Sequence, residues 1–455
     1  MIFEQFYLDC LSQASYLIGD ETTNKAVVVD PRRDTEIYLE SAEQHGLSVE
    51  LIVETHFHAD FLSGHLELAE ATGATIAFGE AGRTEFETRA LHDGERIGLG
   101  EVLLVVLATP GHTPESISIV VYEHTDDDIP FGVLTGDTLF VGDVGRPDLL
   151  ASLGYTAEQL AEKLYDSLHD KLLTLPDATR VYPAHGAGSA CGKQLSTATV
   201  STIGEQRRTN YALAVPDRRS FIDAVTEGQP SAPGYFVFDA TLNRKVRPLL
   251  HESEAPSVLT YGDLMAAADD GAVLLDTRDA AEYAKGHLRN SINVGLGGRF
   301  AEYAGSIADP DRAIALICDP GTEAEAKVRL GRIGYDNVLG HLDDAVQAMT
   351  EHPEVVDVSS RLTTSEFEQA RRAGELQVID IRNPGETARG TIPGAVTVPL
   401  ATLRERVGEL DPGVPTVVCC SGGYRSSVAA SLLELRGFTD VSDLLGGYDG
   451  WVTMV

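Results

Sequence analysis

The sequence predicts an α/β protein of three domains, and three observations carry that expectation. Its 455 residues are too many for a single hydrophobic core and suit about three of ordinary size. In the first half of the chain, short apolar runs alternate with turns and amphipathic stretches, the pattern of strands joined by helices. In the second half the chain repeats itself: Asp276 and Asp380, Gly286 and Gly390, and Val294 and Val398 are each 104 positions apart. A constant offset held over that span marks a duplicated unit. The expected domains are 1–245, 258–352 and 361–455.

Through the first domain, A-V-V-V-D (26–30), V-E-L-I-V-E-T (49–55), V-L-L-V-V-L (102–107) and I-S-I-V-V-Y (117–122) read as strands, because near-continuous apolar runs of this length suit a sheet covered on both faces. The segment T-H-F-H-A-D-F-L-S-G-H (55–65) follows the second run directly; T-P-G-H-T occupies 109–113, and L-T-G-D-T (134–138) follows another apolar run. Their His and Asp side chains therefore sit on loops at strand ends, where a rigid sheet usually carries ligands. The 55–65 segment resembles the H-x-H-x-D-H signature of metallo-β-lactamase-fold proteins, with Phe61 in place of the last His, and the likeness runs on to V-Y-P-A-H-G (181–186). That resemblance implies an αββα sandwich. Within the superfamily, T-H-x-H-A-D, T-P-G-H-T, T-G-D and V-G-D-V-G-R-P-D (141–148) are most similar to persulfide dioxygenases.

What the resemblance implies for chemistry turns on Phe61. In dinuclear relatives the Asp-His pair of the motif supplies much of the second metal site, so Phe61 removes a ligand. His56, His112 and Asp137 remain as ligands of one metal. Two imidazoles and one carboxylate with open positions suit non-haem Fe(II), whereas hydrolytic zinc sites usually hold three protein ligands or two metals. The expected cofactor is one Fe(II) per chain, with Zn as the alternative. His58, Asp60 and His185 could hold a second metal, but with Phe61 present they are expected to orient the first ligands by hydrogen bonding. Arg146 matches the family's organic-thiol pocket and is a candidate substrate contact; Cys191, in G-S-A-C-G-K, is open between a substrate-thiol role and packing. The implied substrates are a low-molecular-weight thiol persulfide and O2, with sulfite as product.

N-R-K-V-R-P-L-L-H-E-S-E-A-P (243–256) has the proline, charge and polarity of a linker. Beyond it both copies of the repeat carry, in part, D-x-R and G-H-I-x-G-A motifs and resemble rhodanese domains, small α/β sulfurtransferases with a parallel sheet. In the second copy V-V-C-C-S-G-G-Y-R-S-S (417–427) ends a strand and opens a helical run. Gly-rich amides and a helix N-terminus there stabilise a thiolate. The resemblance makes Cys420 the sulfur-carrying nucleophile of a six-residue loop, with Ser421, Gly422, Gly423, Tyr424 and Ser426 around it and Arg425 meeting sulfite or sulfonate oxygens bidentately. Cys419 is expected to be buried. In the first copy, aligning L-I-C-D-P-G-T-E (316–323) on V-V-C-C-S-G-G-Y sets Cys318 against Cys419, Asp319 against Cys420 and Ala324 against Arg425, so this copy is expected to be inactive.

Composition narrows the setting. The formal net charge is −35, from 70 acidic and 35 basic side chains. Such an excess repels nucleic acid and anionic membrane surfaces and suits a salt-rich, halophilic cytoplasm that screens self-repulsion. The opening M-I-F-E-Q-F-Y-L-D-C lacks the basic and apolar regions of a signal peptide, and no apolar run is long enough to span a membrane. The five cysteines, odd in number and without C-x-x-C pairs, fit a reduced cytosol better than a disulfide framework. A homo-oligomer is expected. The combined expectation is a persulfide dioxygenase coupled to rhodanese sulfur transfer, making sulfite and then thiosulfate in sulfide detoxification. Two alternatives stand beside it: a glyoxalase II-like thioester hydrolase with an accessory sulfurtransferase, which needs a second metal, and a sulfur-relay or sensing protein.

Overall fold

The computed structural model describes residues 1–149 and 154–454. The chain forms two compact units, Met1–Pro230 with Phe236–Leu250, and Ser231–Tyr235 with His251–Val455.

The first unit holds two six-stranded sheets. One runs in chain order through Ile2–Leu8, Gln13–Asp20, Lys25–Val29, Ser48–Val53, Thr75–Gly79 and Arg89–Leu91; the other has the order Ser201–Thr202, Arg180–Pro183, Gly132–Gly136, Ile117–Tyr122, Leu103–Ala108 and Arg96–Gly98. Side-chain alternation along each strand sets the layers. Val27 and Val29 join Tyr16, Val53, Leu104, Val106 and Ile119 in a core between the sheets. Their neighbours Ala26 and Val28 face the other way, against Tyr38 of the helix Glu36–Gln44 and Leu68 of the helix His65–Thr72. On the far side Val120, Val133 and Val181 pack on Leu164 and Leu168 of Ala157–Asp170 and on Phe221 of Arg218–Thr226. Both faces of the sheets' central strands are covered, which is why those strands are near-continuous apolar runs. The architecture is the expected αββα sandwich.

The segment expected to be a linker is, in its first part, the interior of this unit. Asn243 and Arg247 are buried. Asn243 Nδ2 donates to the carbonyls of His58 at 2.8 Å and Phe61 at 3.0 Å, while its Oδ1 accepts from the Ser63 amide at 2.8 Å. Arg247 pairs with Glu67 at 2.6 and 3.0 Å. The polarity that reads as solvent-exposed chain is that of a buried network holding the 58–63 turn, and the unit runs on to Leu250.

The second unit carries two five-stranded, all-parallel sheets of identical order. The first is Val258–Leu259, Val338–Leu342, Ile314–Ile317, Val273–Asp276, Ile292–Asn293; the second is Ser360–Leu362, Val441–Leu444, Thr416–Cys419, Gln377–Asp380, Val396–Thr397. Their registers correct the sequence alignment of the two loops. Asp276 lies opposite Ile317, and Asp380 lies opposite Cys419. The Thr277 amide donates to Ile317 O, and the Ile381 amide to Cys419 O. Ile317 therefore matches Cys419, and Cys318, not Asp319, matches Cys420. Pairing thiol with thiol along the sequence slips the strand by one residue, which would turn every side chain to the opposite face. The next glycines agree: Gly321 and Gly423 both have left-handed φ, +87° and +108°. Glu323, not Ala324, thus stands where the second copy has Arg425. Among the described residues no helix is long and apolar enough to cross a membrane.

Candidate metal centre and thiol loop

The strand Ser48–Val53 delivers Glu54, Thr55 and His56 to the end of its sheet, and hydrogen bonds then fix the imidazole. Thr55 Oγ1 donates its single proton to Asp30 Oδ2 at 2.8 Å, so its 2.9 Å contact with His56 Nδ1 requires the ring to donate. That leaves the lone pair on His56 Nε2. His112 is held the same way, its Nδ1 donating to the carbonyl of Arg146 at 2.9 Å. The two Nε2 atoms lie 3.7 Å and 3.4 Å from Asp137 Oδ2, with all three side chains buried. Two lone pairs and a carboxylate oxygen facing one another repel unless a cation lies between them. His56 Nε2 and Asp137 Oδ2 have no hydrogen-bond partner, and the three ligand atoms fall within 4.8 Å of one another. The donor set fits a divalent metal. Gly145 lets the loop close over it, since a Cβ there would meet Asp137 O at 1.8 Å.

His185 sits behind the carboxylate. Its Nδ1 lies 2.7 Å from Asp137 Oδ1 and its Nε2 lies 2.8 Å from Asp60 Oδ2. Burial works against its charge, but the two carboxylates raise its pKa well above the ordinary value; in return, against the upward pull of burial, His185 and His56 hold the Asp137 carboxyl far below its own. His58 Nε2 lies 3.2 Å from Asp30 Oδ1 and 3.5 Å from Glu54 Oε2. The atoms of His58, Asp60 and His185 could also close around an ion, but the fully buried Phe61 ring packs 4.3 Å from the His58 ring and 6.3 Å from that of His185. An apolar ring thus stands beside what would be the second site.

Two expected substrate contacts fare differently. Cys191 is buried and its sulfur lies within 4.8 Å of ligand atoms of Asp137 and His185, with burial, then Asp60 and Asp137, pushing its thiol pKa well up. Arg146 faces inward: Nε and Nη2 donate to Asp148 at 2.7 and 2.8 Å, and Nη1 to the Ala190 carbonyl at 3.0 Å. Only 3% of it is exposed. Arg146 thus ties two loops together and offers its carbonyl to His112.

In the second unit Cys420 follows the strand Thr416–Cys419, and the helix Tyr424–Leu435 begins behind it. The Gly423 amide donates to Cys420 Sγ at 3.1 Å, and Ser426 Oγ lies 3.6 Å from the sulfur. Gly447 permits this packing, because a Cβ there would lie 2.3 Å from Cys420 O. Tyr424 donates to the carbonyls of Gly295 and Gly297 in the first repeat, whose Tyr303 ring packs edge-on at 5.2 Å. Cys419 is buried as expected. Arg425, expected to meet sulfite or sulfonate oxygens, donates from Nη1 and Nη2 to Glu386 at 2.8 and 2.7 Å, and Ser421 Oγ donates to the same carboxylate at 2.8 Å. Sequence reasoning missed Thr55, Asp30, Asn243 and Glu386. Thr55 adjoins a ligand and could have been flagged; the others are distant in sequence and carry no local signal.

The family model described as metallo-beta-lactamase superfamily matches residues 8–185, and that of the rhodanese-like domain matches 260–352 and 363–454. Among curated proteins, a mitochondrial persulfide dioxygenase of Bos taurus is 31% identical over 44% of this chain and 71% of its own length. A cytoplasmic hydroxyacylglutathione hydrolase of Arabidopsis thaliana is 35% identical over 40% of this chain and 66% of its own. Among solved structures, a metallo-beta-lactamase from Staphylococcus aureus is 35% identical, with a TM-score of 0.67 over 75% of this chain and 98% of that one.

Proposed function

This chain belongs to the metallo-β-lactamase superfamily and carries two rhodanese-like domains, and from that premise we propose that it oxidises low-molecular-weight persulfides to sulfite and transfers sulfane sulfur through Cys420 to make thiosulfate. The observation that carries the first half is the convergence of His56 Nε2, His112 Nε2 and Asp137 Oδ2 beside the Phe61 ring. A single Fe(II) held there would supply the one-electron chemistry that lets O2 add both its oxygens to the outer sulfur of a persulfide. Thr55 and the Arg146 carbonyl fix the tautomers of the two imidazoles, and His185 holds the far oxygen of Asp137, so the three donors are oriented before any metal binds. Hydrolysis of the oxidised group, R–S–SO2H with water, returns R–SH and sulfite.

Cys420 then takes a sulfane sulfur from a second persulfide, releasing a thiol, and sulfite attacks the Cys persulfide to give thiosulfate and restore the thiolate. The Gly423 amide steadies the sulfur through both steps. Five cysteines without C-x-x-C pairs and the acidic composition suit a reducing, salt-rich cytoplasm. The second reading, a thioester hydrolase, is favoured by the identity to hydroxyacylglutathione hydrolase and requires two metals.

Metal analysis of anaerobically purified protein, with O2 uptake on several persulfides, separates the two readings. One iron per chain and persulfide-dependent uptake are expected, and Asp137→Ala should lose both while keeping sulfur transfer at Cys420. Two metals per chain with thioester hydrolysis and no O2 uptake would overturn the proposal.

A further inference from the structure

The guanidinium that the Cys420 loop offers to an oxyanion is already neutralised. Glu386 takes both Nη atoms of Arg425 and the Ser421 hydroxyl, and its Oε2 also accepts from the Asn383 amide at 3.0 Å. Against the upward pull of burial, Arg425 and that amide hold the Glu386 carboxyl down to about 2, so it is charged at any working pH. The pair is not sealed off: 17% of the Arg425 side chain and 23% of Glu386 are exposed.

We propose that Glu386 determines the donor specificity of the Cys420 loop: by occupying both arms of Arg425 it disfavours the thiosulfate dianion and leaves Cys420 to be loaded by organic persulfides. This rests on the reading of Cys420 as a sulfur-transfer nucleophile. With an organic persulfide, the Cys420 thiolate attacks the outer sulfur, the R–S bond to it breaks, and the electron pair leaves with R–S⁻. With thiosulfate the same attack expels sulfite, and two further negative charges must enter a loop whose cation is matched by a carboxylate. The same carboxylate weakens the hold on thiosulfate once it is the product, so poor loading by thiosulfate and ready release of it are one property. A bidentate Arg–carboxylate pair that an anion must displace costs that anion about tenfold in affinity when the pair is partly exposed.

Formation of the Cys420 persulfide can be followed by single-turnover mass spectrometry, using thiosulfate and glutathione persulfide as donors and Cys420→Ser as the blank. The wild type should reach half its limiting loading rate at roughly tenfold lower persulfide than thiosulfate. Glu386→Gln should lower the half-saturating thiosulfate concentration about tenfold and shift the donor ratio by the same factor, with the limiting rate little moved. Glu386→Asp, which keeps the charge, should retain the wild-type preference. Equal use of both donors by the wild type, a parallel loss with both donors in Glu386→Gln, or the same ratio shift in both variants would overturn the inference. Loading of the wild type by neither donor would instead overturn the reading of Cys420 itself.

Discussion

Replacing Phe61 with His tests the proposal that its ring keeps the first unit mononuclear. Phe61 is 1% exposed and packs between the His58 and His185 rings. Removing a buried Phe ring outright costs about 3–5 kcal/mol. An imidazole refills part of the volume but brings a buried nitrogen without a partner, worth about 1–3 kcal/mol. The metal-free variant should therefore lose roughly 3 kcal/mol, which for a unit of this size lowers its melting temperature by about 6–12 °C. If the new imidazole joins His58, Asp60 and His185 in binding a second ion, metal at a hundredfold excess over its Kd should return about 2.7 kcal/mol.

Melting curves with chelator and with added Fe(II) or Zn(II), taken alongside metal content per chain, read both quantities. Phe61→Leu is the control: a smaller loss with no response to metal. Phe61→His should approach two metals per chain and lose dioxygenase turnover, because the second ion competes for the open positions. A loss of stability that metal does not recover, with one iron and unchanged turnover, would refute the reasoning. The exclusion would then lie with His185, clamped between Asp60 and Asp137.

Three further outcomes are expected. Cys420→Ser should keep O2 uptake and release sulfite in place of thiosulfate, measured by ion chromatography of the products. Cys318→Ser should change neither product, and loss of thiosulfate in that variant would show that the first repeat transfers sulfur. Asn243→Ala should strip partners from the His58 and Phe61 carbonyls and the Ser63 amide, costing about 3 kcal/mol by denaturant unfolding and lowering iron loading at a fixed iron concentration.

Two of the candidate ligands could be picked out because they sit where an apolar run stops: His56 after 49–55, and Asp137 after the run that becomes Gly132–Gly136. The layer order followed from the same runs, since strands apolar on both faces must be covered on both. What could not be read was held by long-range polar contacts. Asn243 is 182 residues from Phe61, and its charged, proline-containing surroundings resemble solvent-exposed chain until the buried network is seen. Glu386 lies 39 residues from Arg425, and nothing in N-P-G-E shows that it will occupy the guanidinium. The pairing of Cys318 with Cys419 failed for a different reason: two short strands ending in cysteine match equally well by sequence one residue apart, and only the hydrogen-bonded register with the neighbouring strand decides between them.

That register changes the physical account of why the first repeat should be inert. With Asp319 at the nucleophile position, inactivity would need no explanation beyond the missing thiol. With Cys318 there instead, the thiol is present and its surroundings must disable it. In the second repeat the Gly423 amide donates to the sulfur; in the first, the matching Gly321 amide donates to Glu323 Oε2 at 2.8 Å, so the carboxylate has captured the group that would steady a thiolate. Glu323 also stands in the place of Arg425, which reverses the sign of the charge facing the sulfur. Burial, with Asp276, Glu323 and Asp319 nearby, pushes the Cys318 thiol up to about 12. A thiol raised this far stays protonated at neutral pH, and the thiolate is the form that does the chemistry. In the second repeat the Glu386 carboxylate is matched by Arg425; in the first, Glu323 takes the place of that arginine, and Asp319 interacts with Arg278. The two loops share a backbone register and place a cysteine at the same position, and they differ in the charge of the group set opposite it: Arg425 in the second, Glu323 in the first.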